Sequence, residues 1–424
     1  MKKQLCKFSG WLSPIFLFCL IFSPLLCSQA SAGISGDFNR ALKEGTPSLT
    51  LRFSYEYSDV DDPAGHKPAN ALTLRTRLGY RTGEFFHTKA FVQFHDMANP
   101  IDQYRWPGGG DAKYDVVGDP DGTRVQQVYL DVNLPAATTL RMGRQEIKLD
   151  DVRLIGAIDW RQNGQSFNAV SLKSRAISDL TLYASFINRV QTIFLTDVKL
   201  DGLILLNAKY TGLADQNIST FCYLLDTRDK TPTARDSATY GLRVKGKINV
   251  LNYDFTYAHQ GDYKDGEDHN GNMFNAFLGA KLELINFGAG YSYISGRSNN
   301  SRPFDTLFST AHKFNGWADT FINTNGGTLD NGLQDIYVQA GTRVMGVTCK
   351  AVYHYFDTTE DFGGFDSAYG DEIDLLLVKK IGANLKVLAK YAYYNEKNNS
   401  GTLASNLAGG FDEQVFWTRV IYSF

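Results

Sequence analysis

The chain has 424 residues, of which 43% are apolar, 13% aromatic and 21% charged, with a formal net charge of −2 at pH 7. That near-balance excludes the strongly basic surface a nucleic-acid partner needs, and five cysteines are too few for a disulfide scaffold. Tyr (23), Phe (28) and Gly (39) against only five Met favour strands and glycine-containing turns over helices.

Residues 1–32 read as a cleaved signal peptide. Lys2, Lys3 and Lys7 form a positive start, residues 11–26 an apolar core interrupted by Pro14, and Ala30-Ser31-Ala32 a small-residue cleavage site. Residues 33–424 are then a single domain exported through the inner membrane of a Gram-negative cell. Removing three lysines and no acids makes its formal charge 40 − 45 = −5. Cys222 and Cys349 remain, expected on opposite sheet faces as unpaired thiols. Nothing after Ala32 approaches the ~18 apolar residues of a membrane helix, but strands apolar on one face only escape that test.

Such strands follow in order. In 71–82, Leu72, Leu74, Leu78 and Tyr80 share one parity while Thr73, Arg75, Arg77 and Arg81 share the other, and period-two alternation puts the two sets on opposite faces. Three arginines would be ruinous in a dry core, where an unpaired charge is very costly, and are acceptable facing water. Phe53 and Tyr55 oppose Arg52 and Glu56; Leu130 opposes Asp131; Leu242 opposes Arg243; Val338 opposes Asp335 and Arg343; Val387 and Ala389 oppose Lys390. Roughly 18 such strands are expected, 16 being the alternative count, each of about ten residues as a tilted bilayer-crossing strand requires. Links alternate between short (82–84, 135–137, 247–249, 285–286, 345–346, 381–383) and long (59–70, 97–123, 148–165, 261–272, 297–332, 398–411). The expected fold is therefore all-β: a transmembrane, antiparallel, up-and-down barrel with short periplasmic turns and long outside loops.

The chain ends EQVFWTRVIYSF. A closed barrel pairs its last strand with its first, so Phe416, Val420, Tyr422 and Phe424 are expected to face lipid, with Arg419 towards the lumen. A terminal strand ending in Phe also resembles the signal read by the outer-membrane assembly machinery.

Pore-lining candidates follow from parity: Arg52, Arg75, Arg77, Lys89, Arg141, Arg243, Lys245, Arg343, Lys350, Lys390 and Arg419, with Glu56, Asp131, Asp254 and Asp335 among them. Rings of Arg and Lys favour anions. Arg144, Asp151, Arg153, Trp160, Arg161, Gln162 and Asn163 leave a strand for a long loop and are expected to fold inward or to brace it. Loops 97–123 and 148–165 are the two candidate gates. The run Gly108-Gly109-Gly110 lacks the Lys-Ser/Thr of a phosphate loop. Seven histidines come without GxSxG or HExxH context, and the Asp61-Asp62 and Asp150-Asp151 pairs lack calcium-loop spacing. No catalysis, cofactor or metal is expected.

The stretches GRQEIKLDDVRLIGAIDWRQNGQSFNAV, ISGRSNNSRPFDTLFSTAHKFNGWADTF and NGLQDIYVQAG resemble the alginate export family of outer-membrane porins. The resemblance implies a monomeric barrel of about 18 strands with a basic, anion-selecting lumen. The family's polysaccharide exporter carries a long periplasmic turn before its penultimate strand, where this chain has only about 380–384. The expected function is passive, anion-favouring passage of sugars, uronate oligosaccharides or alginate-like polysaccharide. Uptake of small organic anions is the first alternative, and a secreted soluble β-protein or adhesin the second. Membrane lipids, lipopolysaccharide, the assembly machinery and an anionic saccharide or organic acid are the expected partners.

Overall fold

Alternation gives every strand one oily and one polar face, and a sheet built of such strands leaves no open edge once its last strand meets its first. The computed structural model describes residues 31–228, 235–298, 301–321, 329–360, 368–397 and 410–424. It forms one eighteen-stranded antiparallel sheet, which decides between the two expected counts. In chain order the strands are β1 (Thr46–Val60), β2 (Ala69–Arg81), β3 (Thr88–Gln103), β4 (Gly122–Leu134), β5 (Thr138–Gln145), β6 (Ser166–Ile177), β7 (Leu180–Gln191), β8 (Asp197–Tyr210) and β9 (Gln216–Thr227). The second half comprises β10 (Ser237–Ile248), β11 (Leu251–Tyr263), β12 (Gly266–Lys281), β13 (Ile285–Ile294), β14 (Leu333–Val344), β15 (Val347–Asp357), β16 (Ala368–Ile381), β17 (Leu385–Glu396) and β18 (Glu413–Ser423). Closure is direct: β1 pairs β2 along one edge and β18 along the other, from Thr50↔Ser423 to Val60↔Glu413.

The faces sort as the alternation requires. Phe53, Leu78, Val128, Leu242, Val338 and Leu375 are exposed outward, the apolar band of a membrane barrel. Their neighbours Arg52, Arg75, Arg77, Asp131 and Asp335 are buried inside it. Phe416, Val420, Tyr422 and Phe424 are all exposed, while Arg419 is 2% exposed. The lipid-facing set at the end of the chain is thus as expected.

At one end the links are short: 135–137, 178–179, 249–250, 345–346 and 382–384 among them. Met345 (φ 50°) and Gly346 (φ 78°) form a two-residue turn with both central residues at positive φ, which matches the strand twist. Three expectations are corrected. The predicted loop 261–272 is a hairpin: β11 and β12 run on past the membrane and turn through 264–265, with Tyr263 paired to Gly266. Its polar residues mimic a loop because a strand above the bilayer has no oily face to show. The long-loop end also contains the short link 192–196, so the alternation of lengths is not strict. Cys222 and Cys349 are unpaired, but both lie on the outward parity, Cys222 between inward Phe221 and Tyr223 and Cys349 beside outward Tyr353. The two thiols therefore share the outward face, where opposite faces were expected.

A helix, α1 (Ser31–Lys43), precedes the barrel and was not anticipated. Arg40 and Lys43 in its last turn suit the negative end of the helix dipole. Its Ala41 carbonyl accepts from Gly83 N (2.8 Å) in the β2–β3 turn, and Phe38 packs edge-on against Phe85. Residues 1–30, which hold most of the expected signal peptide, and most of loop 398–411 lie outside the described residues.

The lumen is filled. Loops 104–121, 146–165 and the described parts of 295–332 turn inward instead of out. Leu154, Ile155, Phe304, Phe308, Trp317 and Phe321 pack with the inward-facing Phe167, Leu205, Tyr223, Phe356, Tyr394 and Trp417. Burying each such side chain contributes about 1.5–3 kcal/mol, which offsets the entropy of ordering the loops.

Candidate functional site

The inward loops make a constriction against one basic wall. β1, β2 and β18 present Arg52, Arg75, Arg77 and Arg419 on adjacent strands, Arg52 directly opposite Arg75 in the ladder. Loop 146–165 answers with its backbone. Arg52 Nη1 donates to the carbonyls of Asp159, Trp160 and Arg161 at 3.0–3.2 Å, and Arg419 Nη1 donates to Trp160 O at 2.6 Å. The Arg419 guanidinium also lies 3.7 Å from the centroid of the Trp160 ring, a desolvated cation–π contact. Arg77 donates through Nε to His95 Nδ1 (3.1 Å) and through Nη1 to Glu146 Oε1 (3.0 Å). Because Arg is only a donor, His95 must carry its proton on Nε2, which faces Asn163 Oδ1 at 2.9 Å. Gln162 bonds Thr73 Oγ1 (2.7 Å), and its own N–H donates to Asp119 Oδ1 of loop 104–121 (2.7 Å).

Arg161 links all three loops to the wall. It donates to Glu56 Oε1 (2.8 Å) on β1 and to Asp319 Oδ2 (2.7 Å) in loop 295–332. Burial opposes its charge, but Glu56, Asp319 and Asp119 raise its pKa above the ordinary arginine value. Asp319 also accepts from His312 Nδ1 (2.5 Å), and His312 Nε2 takes a hydrogen bond from Lys390 Nζ (2.6 Å). Lysine is only a donor, so this chain needs a neutral imidazole. Burial first, and then the nearby Lys390 charge, push the His312 pKa down to about 3 against the pull of Asp319. His312 stacks on Trp160 at 4.1 Å, and the Lys390 ammonium is enclosed by the rings of Trp160, Trp317 and Trp417 at 4.3, 3.8 and 5.4 Å.

Arg75 is the exception on this wall. It is 4% exposed, and its Nε and Nη1 have no hydrogen-bond partner; Arg52 Nε, Arg77 Nη2 and Arg419 Nη2 are also unbonded. A buried, unanswered guanidinium is expensive. The far wall is richer in acids: Glu372 accepts from the backbone of Trp317 and Ala318, and His354 lies between Asp335 (2.8 Å from Nδ1) and Asp374 (3.5 Å from Nε2).

The sequence-predicted residues therefore separate into groups. Arg52, Arg75, Arg77, Arg161, Lys390 and Arg419 converge on the constriction. Arg153 crosses the lumen, donating to Asn275 Oδ1 (2.8 Å) and pairing with Asp151; Lys350 lies near Trp317. Arg243 is held by Asp254 (2.7 Å), with Lys245 sharing that acid. Arg144 braces β6 and β7 through Asn168 Oδ1 (3.0 Å) and Gln191. Arg141 is engaged by Asp131 (2.6 Å) and Lys89 lies 3.8 Å from Glu84, both towards the short-turn end. Arg343 is exposed beside the 345–346 turn, away from the constriction. Loop 104–121 carries a small ribbon of Arg105–Trp106 on Gly109–Gly110 where the glycine run suggested a lid. His312, Asp319, Asp119, Arg124 and Trp417 were missed. Trp417 shares the parity of Arg419, a signal available in the sequence. Asp62, His66 and Asp115 also approach one another in the outer loops, where His66 Nδ1 pairs with Asp62 at 2.8 Å and Arg105 Nη2 lies 3.4 Å from the same nitrogen.

A closed barrel with an oily belt, short turns at one end and inward-folded loops narrowing the lumen defines the class: an outer-membrane porin-type channel. Residues 48–359 match the family described as "Alginate export", and the chain belongs to that family. Among solved structures it is similar in fold to OccK1 (OpdK) of Pseudomonas aeruginosa (16% identity, 90% of this chain and 99% of that chain covered, TM-score 0.67). It is likewise similar to OccAB3 of Acinetobacter baumannii (15% identity, 90% and 99% covered, TM-score 0.68). No curated protein matched. A barrel of this family is not an enzyme fold.

Proposed function

We propose that this channel passively admits small carboxylate-bearing solutes across the outer membrane, favouring anions over cations. One observation carries the reading: the buried Arg75 guanidinium, with two nitrogens unbonded and three further arginines around it. A carboxylate passing this wall would find a planar donor fork for bidentate pairing, while a cation would meet only like charge. The opposing acids Glu372 and Asp374 sharpen the field across the lumen, orienting a solute that carries its charge at one end.

The inserted loops favour small solutes over a polymer. Three loops meet through Arg161 and Asp319, and the link 382–384 has no length to act as a periplasmic plug. A fold relative, OpdK of P. aeruginosa, is described with vanillate, itself a small carboxylate. In planar bilayers the protein is expected to give discrete, anion-favouring steps that short organic acids modulate and long polyuronates do not. Passage of intact polyuronate would replace the small-solute reading with polysaccharide export. The terminal strand ending at Phe424 is proposed as the assembly signal, and the belt as the contact with lipid and lipopolysaccharide. Loss of outer-membrane insertion on deleting Phe424 checks the first.

A further inference from the structure

The short-turn mouth of the lumen holds a feature that the constriction does not use. A cavity of about 1080 Å³ lies against the lower halves of β5–β8, and its lining contains seven cationic residues against four acids. Most of these cations are answered. Arg81 and Arg141 share Asp131, Lys148 pairs with Glu146 and Asp159, and Lys89 faces Glu84. Lys173, Arg175 and Lys209 have no ion pair or side-chain hydrogen bond among the described residues.

Their placement is set by the strands. Lys173 and Arg175 are two apart on β6, hence on one face, and alternate with the outward Leu172. Lys209 is on β8, on the same lumen side, and alternates with the outward Leu206. Between them β7 supplies Tyr183 opposite Lys173 and Thr181 opposite Lys209. Two strand spacings make this gap about 10 Å, which flexible lysine stems readily close. The charged neighbours felt by Lys173 are Arg175, Arg141 and Lys209, all cations. The acids nearby are spent or peripheral: Asp131 is taken by two arginines, Asp150 by Asn207 (2.8 Å), and Asp179 sits on the 178–179 turn, bonded to Ser178. Across the same mouth the pattern is different, since Arg243 and Lys245 have Asp254 between them.

We propose that Lys173, Arg175 and Lys209 form a capture site for small multivalent organic anions, carrying two or more carboxylates, at the periplasmic mouth of the channel. Three like charges converging on one wet cavity repel one another, and a ligand with several negative groups relieves all three at once. A monoanion relieves one. Hydroxyls from Thr139 and Thr181 on the same lining offer donors to the remaining oxygens. The cavity also holds Glu146, the partner of Arg77, so it opens onto the arginine wall. The site rests on the channel reading only for its supply of solute through the lumen.

The test is isothermal titration of the detergent-solubilised full chain with propane-1,2,3-tricarboxylate and with acetate at fixed ionic strength. Tricarboxylate is expected to bind at one site, and acetate more weakly. The variant K173Q/R175Q/K209Q should lose about tenfold or more in affinity, K209Q alone a smaller part, and R75Q/R77Q little. Because these three side chains support no contact, the triple variant should keep the heat-shifted migration of a folded barrel; if it does not, K209Q alone decides. No binding by the natural chain, binding by K209Q and the triple variant unchanged from that of the natural chain, or loss only in R75Q/R77Q overturns the site. A conducting channel with any of those outcomes removes the site alone, whereas a silent bilayer with normal titration removes the channel and leaves the site.

Discussion

The constriction and the short-turn mouth are both basic, yet they treat their charge in opposite ways. At the constriction nearly every cation is engaged by an inserted loop: Arg52 and Arg419 by carbonyls of loop 146–165, Arg161 by Glu56 and Asp319, Lys390 by His312 and three tryptophans. At the mouth Lys173, Arg175 and Lys209 stand in water. Among the described residues the long inserted loops lie at one end of the barrel, so the same alternating wall yields a bracing site where they reach and an open charged surface where they do not. Arg75 is the place where the braced region keeps a buried, unpaired charge, and it is where selectivity is expected to arise.

Removing the bracing should have the largest effect. Replacing residues 148–163 by a short Gly-Ser link takes the partners from Arg52, Arg419 and Glu56, and single-channel conductance should rise several-fold; unchanged current would mean the loop does not narrow the path. Next comes R161A, which leaves Glu56 and Asp319 buried without their cation. Breaking a buried pair this way costs about 3–5 kcal/mol, read as a lowered denaturation midpoint and faster proteolysis of loop 295–332. R75Q should move the reversal potential in a salt gradient towards zero and leave the midpoint little changed, since the Arg75 side chain makes no hydrogen bond among the described residues; R75E/R77E should invert the potential and also lower the midpoint, because Arg77 gives up His95 and Glu146.

The latch at His312 gives a pH dependence of fixed sign. Its pKa is about 3 in place and 6.5 when free, so between those values the released form binds the extra proton. Docking of loop 295–332 is fully retained above pH ~6.5 and weakens as pH falls towards 3. Asp319, raised by burial but lowered more by His312 and Arg161, works in the same direction. Tryptophan emission from the Trp160–Trp317–Trp417 cluster should report an acid transition that H312N lacks. The smallest effect is expected of C222S, on the outer face, within about 0.5 kcal/mol of the natural chain.

Much of this architecture is written locally. Period-two alternation was enough to place Arg52, Arg75, Arg77, Asp131, Lys390 and Arg419 inside and Phe416, Val420 and Tyr422 outside, because a half-lipid, half-water wall has no other solution. The inward turn of residues 144–163 was also foreseeable from its charged, family-like run. What stayed hidden is contact between distant segments: Trp160 O meets Arg419 across 259 positions and Arg52 across 108, and no local pattern marks His312 or Asp319 as members of that cluster. The hairpin through 264–265 misled because polar strands above a membrane look like loops. Lys173 and Arg175 alternate with Leu172, so their lumen side is legible in the sequence, whereas their approach to Lys209 across β7 is not.

Anion preference is expected to arise at the wall around Arg75. The most direct measurement is the reversal potential of the natural channel in a planar bilayer under a tenfold KCl gradient. A potential displaced towards the chloride equilibrium value is expected; displacement towards the potassium value would contradict an anion-favouring wall.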